Sequence, residues 1–167
     1  MSVKPKGIKL SPKKEKVLTL CIVYKHPKVL LGYKKRGFGA KRWNGFGGKV
    51  KGGESVEEAA RRELKEEAGL IVKDLEKAGE LSFEFRSSGE ELKVHVFRVS
   101  DFSGKERESK EMKPQWFFMD EIPFKEMWPD DPYWLPLFFT GRFFRGRFIF
   151  EDEEKLKEHS VEVCEDC

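Results

Sequence analysis

No run of about 18 apolar residues, the length that a bilayer-spanning helix needs, occurs in this chain of 167 residues, so no membrane association is expected. Charge of one sign is also missing. With 33 Lys and Arg against 30 Asp and Glu the formal net charge is +3, too small for the broad positive field of a duplex-binding protein, and stable nucleic-acid binding is not expected. Cysteine is scarce: Cys21 falls in an apolar run, while Cys164 and Cys167 form a lone C-x-x-C in a polar terminal stretch. That pair supplies two of the four ligands a structural zinc uses. No charged n-region followed by an apolar h-region opens the chain, so a secreted disulfide framework is not expected and a reducing compartment is. What the chain has in excess is aromatic residues, 15 Phe, 4 Trp and 3 Tyr. They fit a Phe-rich core or a stacking surface for a flat ligand.

The length fits one domain. Residues 1–15 are expected to be a disordered basic arm, residues 16–151 the domain, and residues 152–167 a charged tail. Val17 to Tyr24 is apolar on both faces, His26-Pro27 interrupts, and Val29 to Lys35 resumes, which predicts a strand pair. Residues 37–48 hold five glycines, suited to a backbone that bends tightly or approaches a ligand. Ser55 and Glu58 form a capping box, and Gly69 is a C-terminal stop, so a helix is predicted between them. Leu81 to Phe85 and Lys93 to Val99 flank a turn as a hairpin does, and Gln115 to Met119 reads as another strand. Asp131-Pro132 opens a second helix ending near Gly141, and Arg142 to Phe150 reads as the last strand. Strands around two helices predict an α+β fold, a mixed sheet with helices packed on it.

At about 100° per residue, Val56, Ala59, Ala60 and Leu70 share one side of the first helix. Glu63, Glu66 and Glu67 fall within that apolar stripe, where each unpaired buried carboxylate costs a few kcal/mol. Hard oxygen donors at spacings of three and four suit Mg²⁺ or Mn²⁺, and Arg62 can steady the cluster from its edge. The same pattern also fits a charged surface helix with solvated acids.

The glycine-rich loop leads straight into this helix. Gly48-x5-Glu54-x7-Arg62-Glu63-Leu64-Lys65-Glu66-Glu67-Ala68-Gly69-Leu70 resembles the Nudix box, G-x5-E-x7-R-E-U-x-E-E-x-G-U with U apolar, at all nine fixed positions. Further segments are similar to the oxidised purine nucleoside triphosphatase branch of that family: Lys34 to Ala40, Arg42 to Val50, Phe83 to Phe85, Val94 to Phe97, and Ile122 to Asp131. The resemblance spans about Leu18 to Phe150. It implies the Nudix fold, an α/β/α sandwich, and Mg²⁺-dependent hydrolysis, with Mn²⁺ as a substitute, of 8-oxo-dGTP and 2-oxo-dATP to monophosphate and pyrophosphate. It further implies a monomer that sanitises the nucleotide pool, located in the cytoplasm with the nucleus and mitochondrial matrix as further sites. Metal ligands would be Glu63, Glu66, Glu67 and the Gly47 carbonyl, assisted by Glu111. Glu67 is the first choice for general base and Glu111 the second, with Gly48 and Glu54 as outer support and Lys34 on phosphate.

By the same resemblance Asn44, Asp130 and Asp131 would hydrogen-bond the purine and Trp128 would stack on it. Phe38, Phe83, Phe85, Leu92, Met112, Trp134 and Phe150 would enclose it, with Thr19 and Leu20 at the floor. Adjacent Asp130 and Asp131 in an apolar pocket need not both ionise, and a proton shifted between them would let the site accept both an 8-oxo-guanine and a 2-oxo-adenine edge. Asp131 also reads as a helix cap, and the strand Phe residues as core. The box equally fits hydrolysis of ADP-ribose, a diadenosine polyphosphate or an RNA cap, or a non-catalytic nucleotide-binding module.

Overall fold

A computed structural model describes residues 15–165; the expected basic arm, apart from its last residue, and Cys167 lie outside them. The elements follow as β1 (Glu15–Lys25), β2 (Lys28–Lys34), β3 (Trp43–Asn44), α1 (Val56–Ala68), β4 (Ile71–Phe85), β5 (Glu90–Ser103), β6 (Met112–Phe118), α2 (Asp131–Phe138), β7 (Phe143–Asp152) and β8 (Lys155–Cys164). The strands form one mixed sheet in the order β3-β2-β1-β5-β4-β7-β8, with β6 also paired to β2. β1 runs parallel to β5 and β4 parallel to β7; the other pairs are antiparallel.

The position of β1 explains why its sequence does not alternate. Cys21 and Val23 pack with Ala60, Leu64 and Ala68 of α1, while Ile22 belongs to a second core with Trp134, Leu135 and Phe138 of α2. A strand buried on both faces needs apolar residues at every position. The sheet therefore lies between the two helices, the α/β/α sandwich expected from the sequence. α1 starts where Ser55 Oγ accepts the Glu58 N–H at 3.0 Å and Glu58 Oε1 accepts the Ser55 N–H at 2.8 Å. It ends at Gly69, whose φ of 75° closes the helix in the left-handed region.

The structure changes three expectations. Residues 155–164 are not a free charged tail but strand β8, so Arg142 to Phe150 is not the last strand. Among the described residues β8 pairs only with β7 and is largely exposed; its charges suit an open edge, and Leu156 and Val161 pack against the core. Its last residue, Cys164, is disulfide-bonded. The hairpin strands are also longer than predicted, 15 residues in β4 and 14 in β5. Finally, Asp131 does not cap α2. Asp130 occupies the N-cap position without a capping side-chain bond, and both carboxylates are buried. Among the described residues no helix is long and apolar enough to cross a membrane.

Candidate active site

An apolar slot of about 140 Å³ opens between the ends of β1, β4 and β5 and the segment that leads into α2. Thr19 and Leu20 of β1 lie beside Lys34, Phe38 and Asn44; Phe83, Phe85 and Leu92 come from the hairpin. Met112, Trp128, Asp130, Asp131 and Trp134 complete the lining named from the sequence, and Leu18, Leu81 and Val94 add to it. Phe150 does not line the slot. It is fully buried behind it, stacked on Phe85 at 5.2 Å and edge-on to Trp128 at 5.9 Å.

The polar groups of the slot are few and arranged for a ligand. Asn44 Oδ1 accepts the Gly45 N–H at 2.9 Å, which leaves its NH₂ to donate. Asp130 Oδ2 accepts the Trp134 Nε1–H at 2.8 Å, but Asp130 Oδ1 is buried with no partner, and so is Thr19 Oγ1. Buried polar atoms without partners are rare in proteins, and two in one apolar slot mark where a polar ligand edge would bind. Burial pushes the Asp130 carboxyl up to about 6. It pushes Asp131 well above the usual carboxylate range, and the neighbouring Asp130 charge adds to that. Burial and their mutual repulsion accordingly favour the protonated form of one of the two carboxyls.

Next to the slot lies an open cleft lined by Glu63, Glu66, Glu67 and Glu111 with Lys35, Arg107 and Lys110. Glu67 lines both cavities, and Lys34 faces it from the slot. Glu67 is 8% exposed, and its Oε1 accepts the Gly47 N–H at 2.9 Å. Burial and the Glu63 charge push its carboxyl up to about 8. Gly47 is required by close approach, since a Cβ there would stand 1.9 Å from the Thr19 carbonyl oxygen, whereas one on Gly48 would stand 2.4 Å from Glu63 Oε2 and push that side chain aside. Thr19 and Cys21 N–H donate to the Gly48 and Phe46 carbonyls, whereas the Gly47 carbonyl accepts none of the described backbone bonds.

Arg62 ties the helix to the loop. It donates to both carboxylate oxygens of Glu54 at 2.5 and 3.0 Å, to Glu63 at 3.1 Å, to Glu66 at 3.3 Å and to the Lys49 carbonyl at 3.1 Å. The paired guanidinium holds the Glu54 carboxyl down to about 2. Two details depart from the sequence reading. Glu66 is exposed rather than inside the apolar stripe, because α1 buries only the narrower face of Ala59, Ala60, Leu64, Glu67 and Ala68. Glu111 accepts from Arg36 Nε at 2.8 Å, and among the described residues no three acidic, His or Cys side chains are gathered tightly enough to grip an ion as they stand. As chemistry the donor set fits a hard divalent cation: carboxylate oxygens facing one cleft, an unengaged carbonyl, and a buried carboxyl whose like-charge neighbour a cation would offset.

The NUDIX domain family model matches residues 14–138. The chain belongs to the Nudix family. It is 51% identical over 151 residues to the oxidized purine nucleoside triphosphate hydrolase of Danio rerio, covering 90% of this chain and 97% of that protein. To the enzyme of the same name from Mus musculus it is 51% identical, over 87% of this chain and 94% of that one. The crystal structure of a mutator MutT protein from Bacillus halodurans superposes with a TM-score of 0.79 at 29% identity, covering 88% of this chain and 97% of that one. Nudix hydrolases generally need a divalent metal, usually Mg²⁺. Around the Nudix site, the sequence reading missed Arg36 as the partner of Glu111 and Arg42 beside Trp128. For Arg42 the signal was a cation next to the aromatic and glycine cluster; for Arg36, paired across 75 positions, there was none.

Proposed function

We propose that this Nudix hydrolase converts oxidised purine nucleoside triphosphates, 8-oxo-dGTP and 2-oxo-dATP among them, to the monophosphate and pyrophosphate. It acts as a monomer on free nucleotides, with Mg²⁺ as the metal and Mn²⁺ as a substitute. The observation that carries this reading is the pair of partnerless buried atoms, Thr19 Oγ1 and Asp130 Oδ1, inside an aromatic slot that adjoins the carboxylate cleft. A flat ring with a polar edge satisfies both features, and the names of the relatives that share half its residues support the same substrate class. One carboxyl of the Asp130–Asp131 pair protonated and one ionised gives a donor beside an acceptor. Moving the proton exchanges the two, so the slot serves either oxidised purine edge.

Glu63, Glu66, Glu67, Glu111 and the Gly47 carbonyl would hold the metal, which when bound offsets the negative charge that shields a triphosphate from attack. Lys34 faces the phosphates where slot and cleft meet. Glu67 takes the proton from the attacking water, Glu111 standing as the alternative base. Arg62, fixed by Glu54, keeps Glu63 and Glu66 turned to the cleft. The test is product analysis with 8-oxo-dGTP and Mg²⁺: 8-oxo-dGMP and pyrophosphate support the reading, whereas orthophosphate release or no turnover removes it.

A further inference from the structure

The turn between β7 and β8 reaches across to the rim of the slot. Arg42 Nη2 donates to the Glu153 carbonyl at 2.8 Å and to Glu154 Oε1 at 3.2 Å, and the Gly39 N–H donates to Glu153 Oε1 at 3.3 Å. The same guanidinium lies over the Trp128 indole, 4.3 Å from the ring centroid. Its Nη1 is buried with no hydrogen-bond partner. The π face beneath it is what compensates that buried cationic nitrogen. The loop that Arg42 ends is tight: its carbonyl accepts the Lys34 N–H at 2.9 Å, and a Cβ on Gly39, where φ is 76°, would stand 2.8 Å from the indole. Phe38 at its tip is 43% exposed yet packs 5.2 Å from Trp128 and 5.6 Å from Phe85.

We propose that the β7–β8 turn is a clasp on the purine slot, in which Glu153 and Glu154 hold Arg42, and Arg42 in turn fixes Trp128 and the Phe38 loop against the bound base. This rests on the purine reading of the slot. Arg42, Glu153 and Glu154 are then positioning residues. None of them lines the carboxylate cleft, so they set base affinity and leave the chemical step alone. The cation holds the indole from the side of the β7–β8 turn, while Trp128 also lines the slot where the base would lie. The clasp depends on β8, which lies beyond the residues matched by the family model.

Three variants test it, Arg42→Met, Arg42→Lys and Glu153→Ala/Glu154→Ala, each measured for KM and kcat with 8-oxo-dGTP, for Kd of 8-oxo-dGMP by equilibrium titration, and for thermal melting. Arg42→Met is expected to raise KM and Kd about 10-fold with kcat within about 2-fold. Arg42→Lys recovers part of that loss, because an ammonium can still lie over the ring, and the double variant raises KM about 3-fold. Unchanged KM and Kd with lowered melting temperatures, or equal losses for Met and Lys, would overturn the clasp while leaving the purine reading intact. A wild-type protein that turns over no oxidised purine triphosphate would overturn both.

Discussion

Glu67 Oε1 accepts the Gly47 amide hydrogen at 2.9 Å, a bond that fastens the last turn of α1 to the loop lining the slot. A buried carboxyl held this way is oriented before any ligand arrives, and Glu67→Gln separates this anchoring from its part in proton transfer and metal binding. Glutamine keeps an oxygen for the Gly47 N–H but cannot take a proton. The expected outcome is kcat lower by about 10²–10⁴-fold with an unchanged or higher melting temperature, since a buried ionisable group has been removed. Full activity in this variant would move the general base to Glu111.

Gly47→Ala probes the close approach itself. With the new Cβ 1.9 Å from the Thr19 carbonyl oxygen, backbone on both sides must shift, and the expected loss exceeds about 3 kcal/mol by denaturant unfolding. Gly53→Ala is the contrast: its Cβ meets nothing within 4 Å, and the cost is the left-handed φ of 82° alone, about 1 kcal/mol.

Arg62→Met leaves Glu54 and Glu63 without their guanidinium. These carboxylates then repel one another and lose their orientation, so the Mg²⁺ concentration for half-maximal activity is expected to rise about 10–100-fold, as happens when supports behind metal ligands are removed. Activity against Mg²⁺ concentration reads this directly.

The aspartate pair gives a pH dependence with a definite sign. Asp130 is pushed from 3.8 up to about 6 by burial, so the folded state favours its protonated form. That contribution to stability is fully present below pH ~4 and is lost as pH rises through about 6. Melting temperature is therefore expected to fall between pH 4 and 7 through this group. Asp131→Asn replaces a carboxyl whose ionisation burial and the Asp130 charge oppose with a group that does not ionise, and should melt higher than wild type at pH 7.5 while matching it near pH 4. The same variant should change the preference between 8-oxo-dGTP and 2-oxo-dATP; an unchanged preference would contradict the proton exchange.

Much of this was legible in the sequence because it rests on local chemistry. Ser55, Glu58 and Gly69 mark the ends of α1 through bonds spanning three or four residues, and the fixed spacing from Gly48 to Leu70 carries the carboxylate helix with its loop. The slot residues, Trp128, Asp130 and Asp131 among them, were legible through the family resemblance of the Ile122 to Asp131 segment; residue type alone reads the strand Phe residues as core and Asp131 as a cap. What could not be read was pairing at a distance. β8 looks like a tail because an edge strand needs apolar residues on little of its surface. Its turn meets Arg42 across 111 positions, and Arg36 meets Glu111 across 75. Glu66 was placed in the apolar stripe because helical angle gives direction but not how wide a face the sheet covers.

The central claim is that the slot selects an oxidised purine and the adjoining cleft cleaves its triphosphate. The most direct test is one panel with Mg²⁺ comparing kcat/KM for 8-oxo-dGTP, 2-oxo-dATP, dGTP, ADP-ribose and a diadenosine polyphosphate. The account predicts both oxidised purine triphosphates ahead of dGTP by at least about 10-fold, the discrimination that one or two buried hydrogen bonds supply, and ahead of the two dinucleotide-type substrates by more. Faster turnover of ADP-ribose or the diadenosine polyphosphate, or equal rates for dGTP and 8-oxo-dGTP, would contradict it.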